Sequence, residues 1–238
     1  MIKPYETEKS KKDEVAEMFN NISHRYDFLN HFFSLGIDHL WRRKAVKLLK
    51  PFQPKQVVDF ATGTGDFAIA CLKLDPDFVT GVDISKGMLS HGNKKVAKRN
   101  LQDKVELIYG DAENLPFEEN SFDAFTVGFG VRNYENLEKG LAEMLRVLKP
   151  GGAGVILEFS KPKVFPLKQL YWMYFKWIMP LLGKWFSKDN SAYTYLPNSV
   201  MAFPEGKDFE AILEKVGFKH QKTKALTGGI ASLYLVKK

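Results

Sequence analysis

DFATGTGDFAIA, residues 59–70, sets an acid, two glycines and a threonine between two apolar runs. Upstream, Gln56, Val57 and Val58 lead in as a short strand would. Downstream, Phe67, Ala68, Ile69, Ala70 and Leu72 begin a buried helix. A strand, a glycine turn and a helix N-terminus in that order make a site for a polar ligand group, because the first N–H groups of a helix have no partners inside it.

The same unit recurs along the chain. FVTGVDIS (78–85) reads as a second strand followed by a helix over 86–99, and KVELIYGD (104–111) as a third strand. SFDAFTVGFG (121–130) is a fourth, and the helix over 135–148 carries Leu137, Leu141, Met144, Leu145 and Leu148 on one face. KPGG then turns the chain into a fifth strand, AGVILEF (153–159). Alternation of this kind predicts an α/β fold with a doubly wound, mostly parallel sheet. Ahead of it, Val15, Met18, Phe19, Ile22, Tyr26, Leu29 and Phe33 recur at helical spacing, and a second helix covers 38–49. Behind it, a helix over 205–215 precedes two strand-like runs, 218–226 and 230–238, joined by TGG, which predicts an antiparallel C-terminal hairpin.

With no internal repeat or Gly/Ser linker, one domain over residues 1–238 is expected. It divides into N-terminal helices (12–49), a ligand-binding core (50–160), a helical aromatic and basic insertion (161–204) and a C-terminal helix and hairpin (205–238). A hydrophobic fraction of 45% and a charged fraction of 26% are those of an ordinary globular protein. The single cysteine, Cys71, excludes an intramolecular disulfide, suits a reducing cytoplasm and is expected as a small buried side chain. The polar N-terminus, MIKPYETEKSKKDEV, lacks the apolar run of a signal peptide. No zinc-ligand pattern is present, so no metal is expected. The most apolar stretch, 164–186, is interrupted by Lys168, Gln169, Lys176, Pro180 and Lys184, which argues against a transmembrane helix. Net charge is +7, and residues 161–188 hold six lysines and no acid, interleaved with Tyr171, Trp172, Tyr174, Phe175, Trp177 and Trp185.

Three acids stand at predicted strand ends. Asp83 lies twenty positions after Gly63, and its two carboxylate oxygens can accept both ribose hydroxyls of an adenosine. Asp111, with Ala112, follows strand three beside the expected adenine amino group, and Asp59 ends strand one, where it can receive an ammonium. Gly63 and Gly65 let the backbone approach the ligand. Gly63, Gly65 and Ala68 also satisfy a loose dinucleotide fingerprint, so a nicotinamide-dependent oxidoreductase is one reading. S-adenosylmethionine is the better one: it has no pyrophosphate and carries a charged amino-acid end that Asp59 can hold. A nucleic-acid-binding role is a third reading, motivated by the basic aromatic insertion. Against it, no separate recognition domain appears, and Leu, Ile and Met share the segment.

VVDFATGTGD, GVDIS followed by ML, GDAENLPF followed by SFD, and LRVLKPGG together resemble a class I S-adenosylmethionine-dependent methyltransferase. More narrowly, YDFLNHFFSLGIDHLW (26–41), FGVRN (129–133) and RVLKPGGAGVILEFS (146–160) resemble the ubiquinone/menaquinone biosynthesis C-methyltransferase family, in matching order from about residue 18 to the C-terminus. The resemblance implies methylation of a ring carbon of a polyprenylated quinol, demethylmenaquinol becoming menaquinol, with the benzoquinol precursor of ubiquinone as the alternative. It carries the cofactor contacts onto Thr64, Asp83, Asp111 and Ala112. The chain departs from the family pattern at Asp38, where histidine is common, at Gly154, where an aliphatic residue is usual, and at Gly128, where some members have serine.

A quinol carbon becomes nucleophilic when its neighbouring hydroxyl loses a proton, and a phenol of pKa about 10 needs a base or a cation to ionise at neutral pH. Arg132 in FGVRN can stabilise that phenolate or orient a water; equally, it can pair with Glu158. Asn133 is expected as a cap of the following helix, or else as a substrate contact. His24 and Asp27 are secondary candidates for proton removal, and Tyr193 and Tyr195 are candidate pocket walls. Residues 161–188 are expected to touch an anionic membrane, to cover the site, or both. No partner nucleic acid is expected, and the oligomeric state is open, a homodimer included.

Overall fold

The computed structural model describes residues 2–25, 36–173 and 191–238, with the side chains of Arg25 and Tyr193 excepted. Seven strands form one sheet: β1 Gln56–Phe60, β2 Phe78–Asp83, β3 Val105–Tyr109, β4 Phe122–Gly128, β5 Leu148–Phe159, β6 Lys219–Leu226 and β7 Ala231–Lys237. Their order across the sheet is β3-β2-β1-β4-β5-β7-β6. The first five run parallel, while β7 lies antiparallel between β5 and β6. Eight α-helices are described: α1 Lys11–Ile22, α2 Ile37–Leu49, α3 Asp66–Cys71, α4 Lys86–Lys98, α5 Leu137–Val147, α6 Leu167–Met173, α7 Ser191–Ala202 and α8 Lys207–Val216.

The central strands are apolar on both faces because both faces are covered. Val57, Val79, Leu107 and Val155 enter one core with Trp41 of α2, Phe67 of α3 and Leu89 of α4. Their neighbours Val58, Val82 and Ile156 enter the other with Leu141 of α5 and Phe209 of α8. Cys71 is buried in the first core, 3.7 Å from the Thr126 hydroxyl, and burial pushes its thiol pKa up, away from reactivity. A third cluster joins α1 to α7 through Val15, Met18, Ala192 and Tyr195.

Helix starts follow their side chains. The Ser85 hydroxyl accepts from Met88 N at α4, and Asn136 Oδ1 accepts from Lys139 N at α5. The cap of α5 is therefore Asn136, not the expected Asn133, which lies in a 3₁₀ turn one step earlier. Gly65 opens α3 at φ +80, and a Cβ there would also come within 2.8 Å of Leu107 Cδ1.

Strand five differs from expectation. It begins at Leu148, which pairs with Phe122, and a register shift then absorbs the Pro-Gly-Gly run before Ala153 meets Ala124. The glycines form an irregularity inside the strand rather than a turn before it. The unusual Gly154 has a packing reason: it pairs with Phe125, whose ring would lie 2.1 Å from a Cβ at 154. The phenylalanine fills the space of the absent side chain. At the N-terminus, α1 stops at Ile22 and a 3₁₀ turn, Ser23–Arg25, follows; Tyr26, Leu29 and Phe33 of the expected helix face lie outside the described residues.

Candidate active site

Strand order reverses between β1 and β4, and in an open parallel sheet ligands bind beyond the carboxyl ends of the strands at such a point. Two compartments open there and share Ala61. One, of about 530 Å³ with open solvent included, lies among Lys12 and Phe19 of α1, Asp83, Asp111, Ala112 and Tyr134. The other, of about 430 Å³, lies among Arg42, Asp59, Gly63, Thr64, Asp66 and Phe129.

In the first compartment Asp83 is the last residue of β2. Its Oδ2 accepts from Gly63 N at 2.7 Å and its Oδ1 from Ser85 N at 2.8 Å. Each oxygen keeps a second lone pair, so the carboxylate is both held and able to accept two hydroxyls. Burial raises its pKa, opposed by those backbone N–H groups. Asp111 accepts from Glu113 N through Oδ1, and its Oδ2 lies 2.6 Å from Lys12 Nζ. Helix α1 is thus tied across the end of β3, and Asn20 ties it to the end of β2 by accepting from the Ser85 hydroxyl and Gly87 N. Tyr134 and Asn133 line this space, and Tyr134 Oη and Asn133 Oδ1 are buried without hydrogen-bond partners.

In the second compartment Asp59 is 1% exposed and accepts from the hydroxyls of Thr62 (2.6 Å) and Thr126 (2.7 Å). Burial pushes its pKa up to about 7, although both hydroxyls and the Arg42 charge favour ionisation. Thr64 is buried and its Oγ1 accepts from Lys95 Nζ at 3.1 Å. Gly63 lines the compartment, at φ +58, whereas Gly65 serves the turn. Two non-glycine residues, Ala61 (φ +50) and Phe129 (φ +58), hold left-handed backbone at the ends of β1 and β4, a strain of the kind that collects at binding sites.

Arg132 follows β4 in the Val131–Asn133 turn. Its Nη1 lies 2.9 Å from Glu158 Oε1, it also donates to Phe129 O, and its Cζ stands 5.4 Å from the Phe159 ring centre. The pairing with Glu158 is therefore real, and Nε is left buried without a partner. Helix α7 packs against this turn. There Tyr195 is 3% exposed with an unpartnered hydroxyl, and burial holds its pKa up to about 12. Asn133 Nδ2 donates to Phe129 O at 3.2 Å.

His24 is exposed in the turn after α1 and lines neither compartment. Asp27 lies outside the described residues, as does the Tyr193 side chain. Asp38 is buried in an ion pair with Arg42, one turn along α2. The sequence reading missed Lys11, Lys12 and Arg42. Buried Lys11 donates to the carbonyls of Arg132 (2.9 Å) and Tyr134 (2.7 Å), and its pKa falls to about 8 through desolvation first and the Arg132 charge second. The only signal was two lysines next to an amphipathic helical face, which solvation explains equally well.

The ubiE/COQ5 methyltransferase family model matches residues 7–238. A demethylmenaquinone methyltransferase of Bacteroides fragilis is 51% identical across 100% of this chain and 97% of that protein. One of Porphyromonas gingivalis is 44% identical across 98% and 96%. Among solved structures, a SAM dependent methyltransferase from Aquifex aeolicus matches with a TM-score of 0.58 at 19% identity, over 80% of this chain and 87% of that one. The cyclase SpnF matches with a TM-score of 0.67 at 16%, over 95% and 96%. Such distant structures share the fold and no more, since one fold carries many reactions. The sequence matches are of another order, and by them this chain belongs to the ubiE/COQ5 methyltransferase family.

Proposed function

We propose that this protein transfers a methyl group from S-adenosylmethionine to a ring carbon of demethylmenaquinol. The observation that carries the reading is a pair of neighbouring compartments that share Ala61 as a wall: Asp83 and Asp111 at adjacent strand ends in one, Asp59 and Thr64 in the other. A nucleoside fits the first and a charged amino-acid end the second, and the full-length identity to relatives named demethylmenaquinone methyltransferase supports the quinol. Bound S-adenosylmethionine would supply an electrophilic sulfonium methyl: the methyl would pass to the ring carbon, the sulfur would leave as a thioether, and the ring carbon's proton would go to water.

The chain's own residues hold the reactants and favour the quinolate. Asp83 receives the ribose hydroxyls, Asp111 and Ala112 border the adenine, and Asp59 takes the ammonium. Gly63 and Thr64 shape the wall beside it. Arg132, held in place by Glu158, offers its free Nε–H to the developing phenolate. Tyr195, neutral at physiological pH, offers a hydroxyl to the same substrate.

A polyprenyl substrate resides in a bilayer, and we place the membrane contact on residues 161–173. Val164, Phe165 (76% exposed), Leu170, Trp172 and Met173 face solvent beside Lys163 and Lys168. Among the described residues no helix is long and apolar enough to cross a membrane. Lys176 and Lys184 lie outside the described residues.

The substrate is tested by comparing kcat/KM for short-chain demethylmenaquinol and for the 2-polyprenyl-6-methoxy-benzoquinol. Preference for the naphthoquinol is expected; a preference for the benzoquinol would assign the chain to the ubiquinone branch.

A further inference from the structure

Arg42 stands out among charged residues outside the roles above. It belongs to α2, away from the repeating strand-turn-helix units, yet its guanidinium lines the Asp59 compartment with only 7% of its side chain exposed. It pairs with Asp38, one turn earlier on the same helix, and lies 3.5 Å from Asp66 Oδ2. Both contacts fall on one nitrogen, Nη2, of a group with five N–H donors. Asp66 is itself shared, 2.7 Å from Lys95 Nζ. The two acids thus fix the guanidinium by one corner at the compartment wall.

The compartment wall holds two acids and a fixed cation; one acid, Asp66, is already engaged by Arg42 and Lys95, which leaves Asp59 from β1 and Arg42 from α2 to face whatever enters. An α-amino acid carries the matching pair, an ammonium and a carboxylate on one carbon. Lys95, the other cation in the network, does not line the space, and Thr62, Gly63 and Thr64 offer no charge. We infer that Arg42 binds the α-carboxylate of the amino-acid end of S-adenosylmethionine, a subsite that makes the compartment selective for the intact zwitterion. The inference rests on the reading that this compartment takes that end of the molecule. A planar fork is suited to a carboxylate, and a lysine would match it poorly.

The test is calorimetric binding of three ligands to the full-length protein: S-adenosylmethionine, its decarboxylated analogue, which keeps the ammonium and sulfonium, and 5′-methylthioadenosine, which lacks the amino-acid end. The parent should bind the decarboxylated analogue at least about tenfold more weakly than S-adenosylmethionine, the scale of one charged hydrogen bond. In Arg42→Lys, and in Arg42→Met combined with Asp38→Asn to avoid an unpaired buried acid, that difference should shrink to within about threefold, with methylthioadenosine affinity unchanged. Equal affinity of the parent for S-adenosylmethionine and its decarboxylated analogue would overturn the inference, whether or not any variant folds. So would a folded Arg42 variant that still discriminates the two. Asp83→Ala separates the broader reading: it should weaken all three ligands, and if it weakens none, the nucleoside site itself is misplaced.

Discussion

Arg132 Nη1 and Glu158 Oε1 meet at 2.9 Å across the carboxyl ends of β4 and β5, with 7% and 1% of their side chains exposed. A buried pair of this kind adds little net stability, because desolvating both charges offsets their attraction, but removing one partner strands the other. The pair therefore fixes a cation at the strand ends at small net cost, and the Nε of Arg132 is left buried without a partner.

Arg132→Ala should lower single-turnover methylation by about 10²–10³ while S-adenosylmethionine affinity stays near the parent's. It should also destabilise the fold, by about 3–5 kcal/mol, through the abandoned Glu158 carboxylate. Arg132→Lys should fall between the two. Higher pH should partly restore the alanine variant, since the missing term opposes phenol ionisation. Parent-like rates in a folded Arg132→Ala protein would remove the residue from the chemistry.

If Asp59 receives the ammonium as proposed, cofactor binding depends on pH. Its pKa in the fold is about 7, against about 4 in the unfolded chain, so between those values the folded protein alone keeps the proton. Stability of the unliganded protein should thus fall as pH rises from about 4 to 7 and level off above. An ammonium needs the ionised form, so S-adenosylmethionine affinity should drop as pH falls below about 7. Asp59→Asn should raise the unliganded Tm at pH 8 and weaken binding. An unchanged affinity between pH 6 and 8 would show that the carboxylate does not meet the ligand.

Asp83→Ala should weaken S-adenosylmethionine binding at least about tenfold, the loss of charged hydrogen bonds worth about 1.5–3 kcal/mol each. Titration calorimetry on the folded variant decides it. Retained affinity would contradict the ribose assignment.

Lys163→Gln with Lys168→Gln should reduce binding to anionic liposomes at low salt, by about 1 kcal/mol per lysine, and change nothing at high salt, where screening already removes the attraction. Parent-like binding at low salt would make these lysines a solvated face.

The parts of this molecule that were legible in its sequence are those that repeat. The first four strands of the parallel core are bounded by turn residues, so their ends, and with them Asp59, Asp83 and Asp111, could be placed from spacing alone. Residues contributed by α1 and α2 could not. Lys12 and Arg42 reach the cleft because whole helices pack over the sheet, and nothing local to KKDEV or WRRKA encodes where those helices land. Asn133 was misjudged for a local reason: Asn136, three residues later, is the residue whose side chain meets the free N–H of α5. Arg132 was ambiguous because both of its readings need the same charge in the same place.

The most direct test follows the methyl group itself. The protein is mixed with S-adenosylmethionine labelled with ¹³C at the methyl and a short-chain demethylmenaquinol, and the quinol is recovered from a single turnover for NMR. One labelled methyl on a ring carbon is expected. Label on an oxygen, or no label on the quinol from protein that still binds S-adenosylmethionine, would contradict C-methylation of this substrate.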